Sequence, residues 1–140
     1  MVGSLQRVML YAWFGVCSEV FFTAIYTFIK ALTLRKINLR MIGHSNLWVM
    51  PLYGLGGRYV LEPLRFAIQD WNIFFRYIAY GFCIITLEYL YGAFLKMLHI
   101  RPWRYYGKWQ IHGLINLKYL PAWGVLGLLF ELMHNYLSHT

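Results

Sequence analysis

The sequence predicts an all-α, polytopic membrane protein, a single domain over residues 1–140 with four transmembrane helices. Three observations carry that prediction. Charged residues make up 13% of the chain, against about 25% in soluble domains. The chain is 60% hydrophobic, with a mean hydropathy of +0.49. The apolar residues fall into four runs, approximately 8–32, 47–69, 73–98 and 113–136, each near the roughly 20 residues that cross a hydrocarbon core. Short connectors join the runs and leave no stretch for a separate soluble domain.

The first run has one charge at its centre, Glu19, and ends at Lys30. It is too long for a cleaved signal peptide and has no small-residue cleavage site. A basic connector follows, with Arg35, Lys36 and Arg40, and has the length for a short interfacial helix. The second run is the least regular, with Pro51, Gly54, Gly56, Gly57, Arg58, Glu62 and Pro63. Proline and glycine loosen the helical hydrogen-bond ladder where neighbours satisfy the freed groups, and glycine lets another helix approach closely. Arg58 and Glu62 are four apart, share a helix face and can pair. Asp70-Trp71-Asn72 is a tight polar turn into the third run, which carries Arg76, Glu88 and Lys96. The second basic connector holds Arg101, Arg104 and Lys108 with Trp103, Tyr105 and Trp109, aromatic residues suited to the headgroup level. In the fourth run Pro121 divides a short first piece from a longer one that contains Gly124, Gly127 and Glu131.

The net charge of +8 does not indicate nucleic acid, because the basic residues sit at the ends of the apolar runs. There they act as topology signals and contacts for anionic lipid. Both connectors rich in Lys and Arg are expected on the cytoplasmic side and both termini on the other. Cys17 and Cys83 lie inside apolar runs and form neither a metal motif nor a disulfide framework. No metal and no cofactor is expected.

An internal repeat is visible. One constant shift aligns the first and third runs, pairing Tyr11 with Tyr77, Gly15 with Gly81, Cys17 with Cys83 and Lys30 with Lys96. A slightly longer shift aligns Pro51-Leu52-Tyr53-Gly54 with Pro121-Ala122-Trp123-Gly124 and Gly57 with Gly127, and leaves Glu62 one place from Glu131. The repeat predicts two tandem helical hairpins of the same orientation, with the second and fourth spans interrupted by Pro and Gly.

Each run carries one glutamate: Glu19, Glu62, Glu88 and Glu131. An ionisable residue at a bilayer centre costs about 2.5–3.5 kcal/mol on insertion scales and faces the bundle interior, where it finds a partner. Helical rise places Glu19, Arg58 and Glu88 near mid-depth. The expectation is a buried cluster of two carboxylates around one guanidinium, acting as a ligand site or proton relay. A structural polar core is the other reading of the same residues. The five histidines lie near run ends, and no zinc-protease motif, nucleophile elbow or phosphate loop is present.

The chain resembles the transmembrane protein 229 group and the bacterial CmpB-like membrane proteins named ABC-transporter type IV. The resemblance lies in Gly15, Glu19 and Thr23; Trp48 to Pro51, Tyr53, Gly54 and Glu62; Glu88, Tyr89 and Gly92 leading to Pro102-Trp103 and Tyr105; and Gly113-Leu114-Ile115, Pro121, Trp123, Gly127 and Glu131. It implies a multi-pass membrane protein without a nucleotide-binding domain and gives weight to the glutamates; it supplies no substrate. The leading functional reading is therefore transport-related or small-ligand or lipid binding through buried intramembrane charges. Its setting is the lipid bilayer, as a homo-oligomer or within a larger membrane complex. The alternative is a non-catalytic scaffold or subunit whose glycines pack against partners. A lipid-modifying intramembrane enzyme ranks last, for want of a nucleophile or metal set.

Overall fold

The computed structural model describes residues 2–36 and 39–139 and is mostly helical. Helix α1 spans Ser4–Thr33, α2 Val49–Gly56, α3 Glu62–Ile68, α4 Ile73–Met97 and α5 Leu120–His139. Two of the helices, α1 and α4, are long and apolar enough to cross a membrane. A single π-helical turn, Gly57–Leu61, joins α2 to α3. Gly56, Gly57, Leu61 and Glu62 all keep right-handed helical angles, so residues 49–68 run as one helix with a wide turn in it.

The helices end near the ends of the apolar runs except in the fourth run, and the prolines lie at helix starts. Pro51 lies in the first turn of α2 and Pro121 in the first turn of α5, positions where the missing N–H has no helical carbonyl to meet. Neither proline breaks a helix. The irregularity in the second segment lies instead at Gly57–Leu61, immediately before Pro63, where the Glu62 N–H reaches back five residues to the Gly57 carbonyl. The fourth helix begins at Leu120. Residues 113–119 form part of a two-stranded hairpin, β1 Gln110–Ile111 with β2 Ile115–Asn116, and a 3-10 turn over Leu117–Tyr119. The hairpin closes through His112 and Gly113, both left-handed. Among the described residues, the first basic connector contains no helix.

The helices pair as α1 with the 49–68 segment and α4 with α5. Asn72 caps α4 by accepting the Phe74 N–H. Glycines set the closeness of each pair. A Cβ on Gly15 would stand 2.2 Å from the Tyr53 ring, one on Gly124 2.5 Å from the Tyr77 ring, and one on Gly127 2.1 Å from Tyr80 Cβ. Gly54 abuts the Val8 carbonyl and Gly57 the Tyr11 side chain.

The repeat is present in these contacts, in a register three residues from the first-and-third-run alignment read from the sequence. Tyr11 corresponds to Tyr80 rather than Tyr77: each phenol donates to a glutamate, Tyr11 to Glu62 at 2.6 Å and Tyr80 to Glu131 at 2.7 Å. Arg7 and Arg76 pair with the same two glutamates, and Glu19 then corresponds to Glu88. Gly57 and Glu62 are five apart, Gly127 and Glu131 four apart. The π turn absorbs that one extra residue, so both glutamates meet equivalent Tyr and Arg partners.

Gly127→Ala forces a Cβ against Tyr80, and overpacking of this kind costs about 1–3 kcal/mol. Gly56→Ala meets nothing nearer than Leu87 Cδ1 at 3.4 Å. Thermal unfolding of the purified variants is expected to show a lowered midpoint for Gly127→Ala and an unchanged or raised one for Gly56→Ala.

Candidate functional site

At one end of the helices lies the Glu62–Glu131 network. Glu62 is 4% exposed and accepts from Arg7 at 2.9 Å, Arg58 at 2.5 Å and Tyr11, with His134 Nδ1 at 3.1 Å. Arg7 also donates to the Leu137 carbonyl on α5 at 3.2 Å, so the network ties the first hairpin to the second. Glu131 is held by Arg76 and Tyr80. Each of these carboxylates has a guanidinium against it.

Glu19 and Glu88 differ in this respect. Among the described residues, neither makes an ion pair with Lys or Arg. Arg58 does not join them, contrary to the sequence expectation. Its Nη1 goes to Glu62, four residues on along the same face, and its Nε to Ser4 Oγ at 3.4 Å. Ser4 is 15 residues before Glu19 on α1, about 22 Å along the axis. The structure does bring Glu19 and Glu88 to a common place. Both line one cavity of about 610 Å³ between the hairpins and the two connectors.

Glu19 Oε2 accepts from Ser45 Oγ at 2.9 Å and from the Tyr53 phenol at 3.4 Å. Glu88 is 7% exposed; its Oε1 accepts from the Tyr105 phenol at 2.6 Å, and its Oε2 has no hydrogen-bond partner. The Trp123 indole stands beside Glu88 as a second, looser donor, its buried Nε1 falling short of hydrogen-bond geometry. Tyr53 and Trp123 occupy corresponding places after Pro51 and Pro121, so the repeat sets an aromatic residue beside each carboxylate. Burial, and then the Glu88 carboxylate, push the Tyr105 phenol well above its ordinary pKa, which keeps it a donor.

The walls are aromatic. Phe22 packs with Tyr26, Tyr119 and Trp123, at ring-centroid separations of 6.4, 5.8 and 6.4 Å, and Tyr105 meets Tyr119 at 5.7 Å. Lys30, His44 and Arg104, all exposed, also line the cavity. Trp103 and Tyr105, expected as headgroup-level residues, turn inward: Trp103 Nε1 donates to the Leu114 carbonyl at 3.0 Å, and both rings line the cavity. Trp109 is 63% exposed. Ser45, Tyr53, Trp123, Lys30 and Arg104 were not anticipated as site residues. The hints for Tyr53 and Trp123 were their shared place in the repeat and their part in the family resemblance.

Comparison with known protein families adds the following. The family model described as Putative ABC-transporter type IV matches residues 7–140. The chain belongs to that family. The family name is that of a transport-related membrane protein, in keeping with the apolar helices α1 and α4. No solved structure matches the chain.

Tyr105→Phe removes the donor to Glu88 and leaves both carboxylate oxygens buried without a hydrogen bond. The expected cost is about 1–3 kcal/mol, read as a lowered unfolding midpoint in detergent. Adding Glu88→Met to that variant is expected to recover most of the loss, because replacing both partners by apolar groups is close to neutral. An unchanged midpoint for Tyr105→Phe would contradict the assigned bond.

Proposed function

We propose that the chain is a four-helix, multi-pass integral membrane protein that binds a small ligand between Glu19 and Glu88 as a step in transport. The observation that carries this reading is a pair of largely buried carboxylates without a basic ion-pair partner, one of them with an unpartnered oxygen, on the wall of a 610 Å³ cavity. That volume falls within the roughly 300–1,000 Å³ of small-molecule sites. Carboxylates kept only for packing would gain from arginine partners, as Glu62 and Glu131 have.

The membrane reading draws on the outer surface. Large apolar side chains stand exposed on every helical pass, among them Phe21 at 69%, Leu55 at 51%, Phe82 at 54% and Leu132 at 63%. Helical segments of 20 residues reach about 30 Å, the thickness of a hydrocarbon core. With both basic connectors at one end, the positive-inside rule directs the cavity end to the cytoplasm and both termini to the far side.

A cavity within one chain removes the need for a second copy to enclose the ligand. Partner subunits enter the proposal for another reason: residues 1–140 hold no phosphate loop, and the family name is that of a transporter component. The scaffold alternative loses its sequence argument, because Gly54, Gly57 and Gly127 contact this chain's own helices.

Native mass spectrometry of protein released from mild detergent tests the proposal, with wild type beside Glu19→Gln. A small molecule or lipid is expected on the wild type and missing from a folded variant of equal thermal midpoint. Wild-type protein without any bound species would contradict it.

A further inference from the structure

The chemistry of the cavity wall narrows the class of ligand, and the narrowing rests on the binding function proposed above. The floor carries two carboxylates. Ser45, Tyr53 and Tyr105 supply neutral donors to them, and among the described residues no Lys or Arg pairs with either. A buried carboxylate oxygen without a donor, Glu88 Oε2, and a buried amide oxygen without one, Asn46 Oδ1, belong to residues of the same wall. A ligand that completes this site brings positive charge and N–H groups together.

The remaining wall favours an organic cation over a bare metal ion. Aromatic rings attract cations through their faces, and this cluster already shows it: Lys118 Nζ stands 5.8 Å from the centroid of Tyr26, one of the lining rings. A metal ion would leave most of 610 Å³ unfilled. The exposed part of the lining has the opposite sign, with Lys30 and Arg104. Lys30 lies 11 residues beyond Glu19 on α1, about 16 Å along the helix. A polyamine would be repelled there, whereas an anionic group would be held.

We propose that the cavity takes a zwitterion whose protonated primary amine sits between Glu19 and Glu88 and whose anionic group, a phosphate or carboxylate, lies toward Lys30 and Arg104. Quaternary ammonium compounds are poorer ligands, because they have no N–H to give the carboxylates. A free amino-phosphate compound and the headgroup of an aminophospholipid both carry this chemistry.

The test measures binding of phosphoethanolamine, phosphocholine and glycerol phosphate to the purified full-length protein. Phosphoethanolamine is expected to bind at least about tenfold more tightly than either of the others, the least that one hydrogen bond to a charged group contributes. Glu88→Gln is expected to lose that advantage, whereas Lys30→Gln with Arg104→Gln is expected to weaken all three ligands alike. In parallel, the protein is reconstituted in nanodiscs with equal phosphatidylethanolamine, phosphatidylcholine and phosphatidylglycerol, and the lipid retained on it is identified. Enrichment of phosphatidylethanolamine assigns the site to a lipid headgroup. Phosphoethanolamine binding without that enrichment assigns it to a free molecule.

Equal binding of the trimethylated and primary amines, stabilisation by inorganic cations alone, or no amine bound in either arm would overturn the inference. Because the wild-type comparison among ligands decides it, poor folding of a variant leaves it testable. A Glu19-dependent bound species without an amine would end the inference and leave the binding function standing, whereas a chain with no bound species at all would end both.

Discussion

A carboxylate packed among apolar helices must be neutralised or bonded, and this fold treats its four glutamates in two ways. Glu62 and Glu131 each receive an arginine and a tyrosine from the neighbouring helix of their hairpin. Those bonds join α1 to the 49–68 segment and α4 to α5. Through Arg7 and His134, they also join one hairpin to the other. Glu19 and Glu88 receive hydroxyl donors alone. The first pair closes one end of the helix bundle, and the second pair remains on a cavity wall at the other. Desolvating a charge without a partner is expensive; a carboxyl so placed holds a proton or meets a cation, and the proposed ligand supplies the second.

The matching contacts of the two hairpins bear on how the two ends differ. Arg7, Tyr11, Glu19 and Glu62 correspond to Arg76, Tyr80, Glu88 and Glu131, each at the same separation along the chain. Two equivalent hairpins facing one another bring their equivalent glutamates to a shared central space. The helix glycines follow a spacing one residue longer, and the π turn at Gly57–Leu61 reconciles the two. Without that wide turn, the extra residue before Glu62 would rotate its carboxylate about 100° around the helix and away from Tyr11. The irregularity in the second segment thus serves register. It also lies next to Pro63, which has no N–H to close an ordinary helical turn.

Composition and run length made the helical class legible, and α1 and α4 follow the expected boundaries closely, because an apolar run and a helix capped at Asn72 leave little else for the chain to do. The prolines marked the irregular segments without marking the breaks themselves: residues 113–119 do form a separate piece before α5, and the second segment is irregular next to Pro63. In sequence, a proline inside an apolar run reads as a break, but Pro51 and Pro121 occupy first turns, where the lost N–H costs nothing. The inward placing of the glutamates was legible, Glu62 and Glu88 being buried and Glu19 and Glu131 half-buried. Their partners were not, because depth along a helix does not give its rotation. Arg58 matched Glu19 and Glu88 in level, yet its i+4 neighbour Glu62 is on its own face and nearer. Tyr105 read as a headgroup-level residue, since aromatic density in a basic connector has that meaning more often than an inward-turned donor. The hairpin at Gln110–Asn116 was hidden inside an apolar run, where Gly113 was its only turn signal.

The central claim is that Glu19 and Glu88 face one cavity proposed to hold a ligand, with neither paired to a Lys or Arg among the described residues. An experimental structure of the chain in a lipid nanodisc, at a resolution that shows side-chain carboxylates, tests it most directly. The expected result is Glu19 and Glu88 on one cavity wall, with non-protein density against them and Arg58 bonded to Glu62. An empty, collapsed cavity, or an arginine swung onto Glu88, would contradict it.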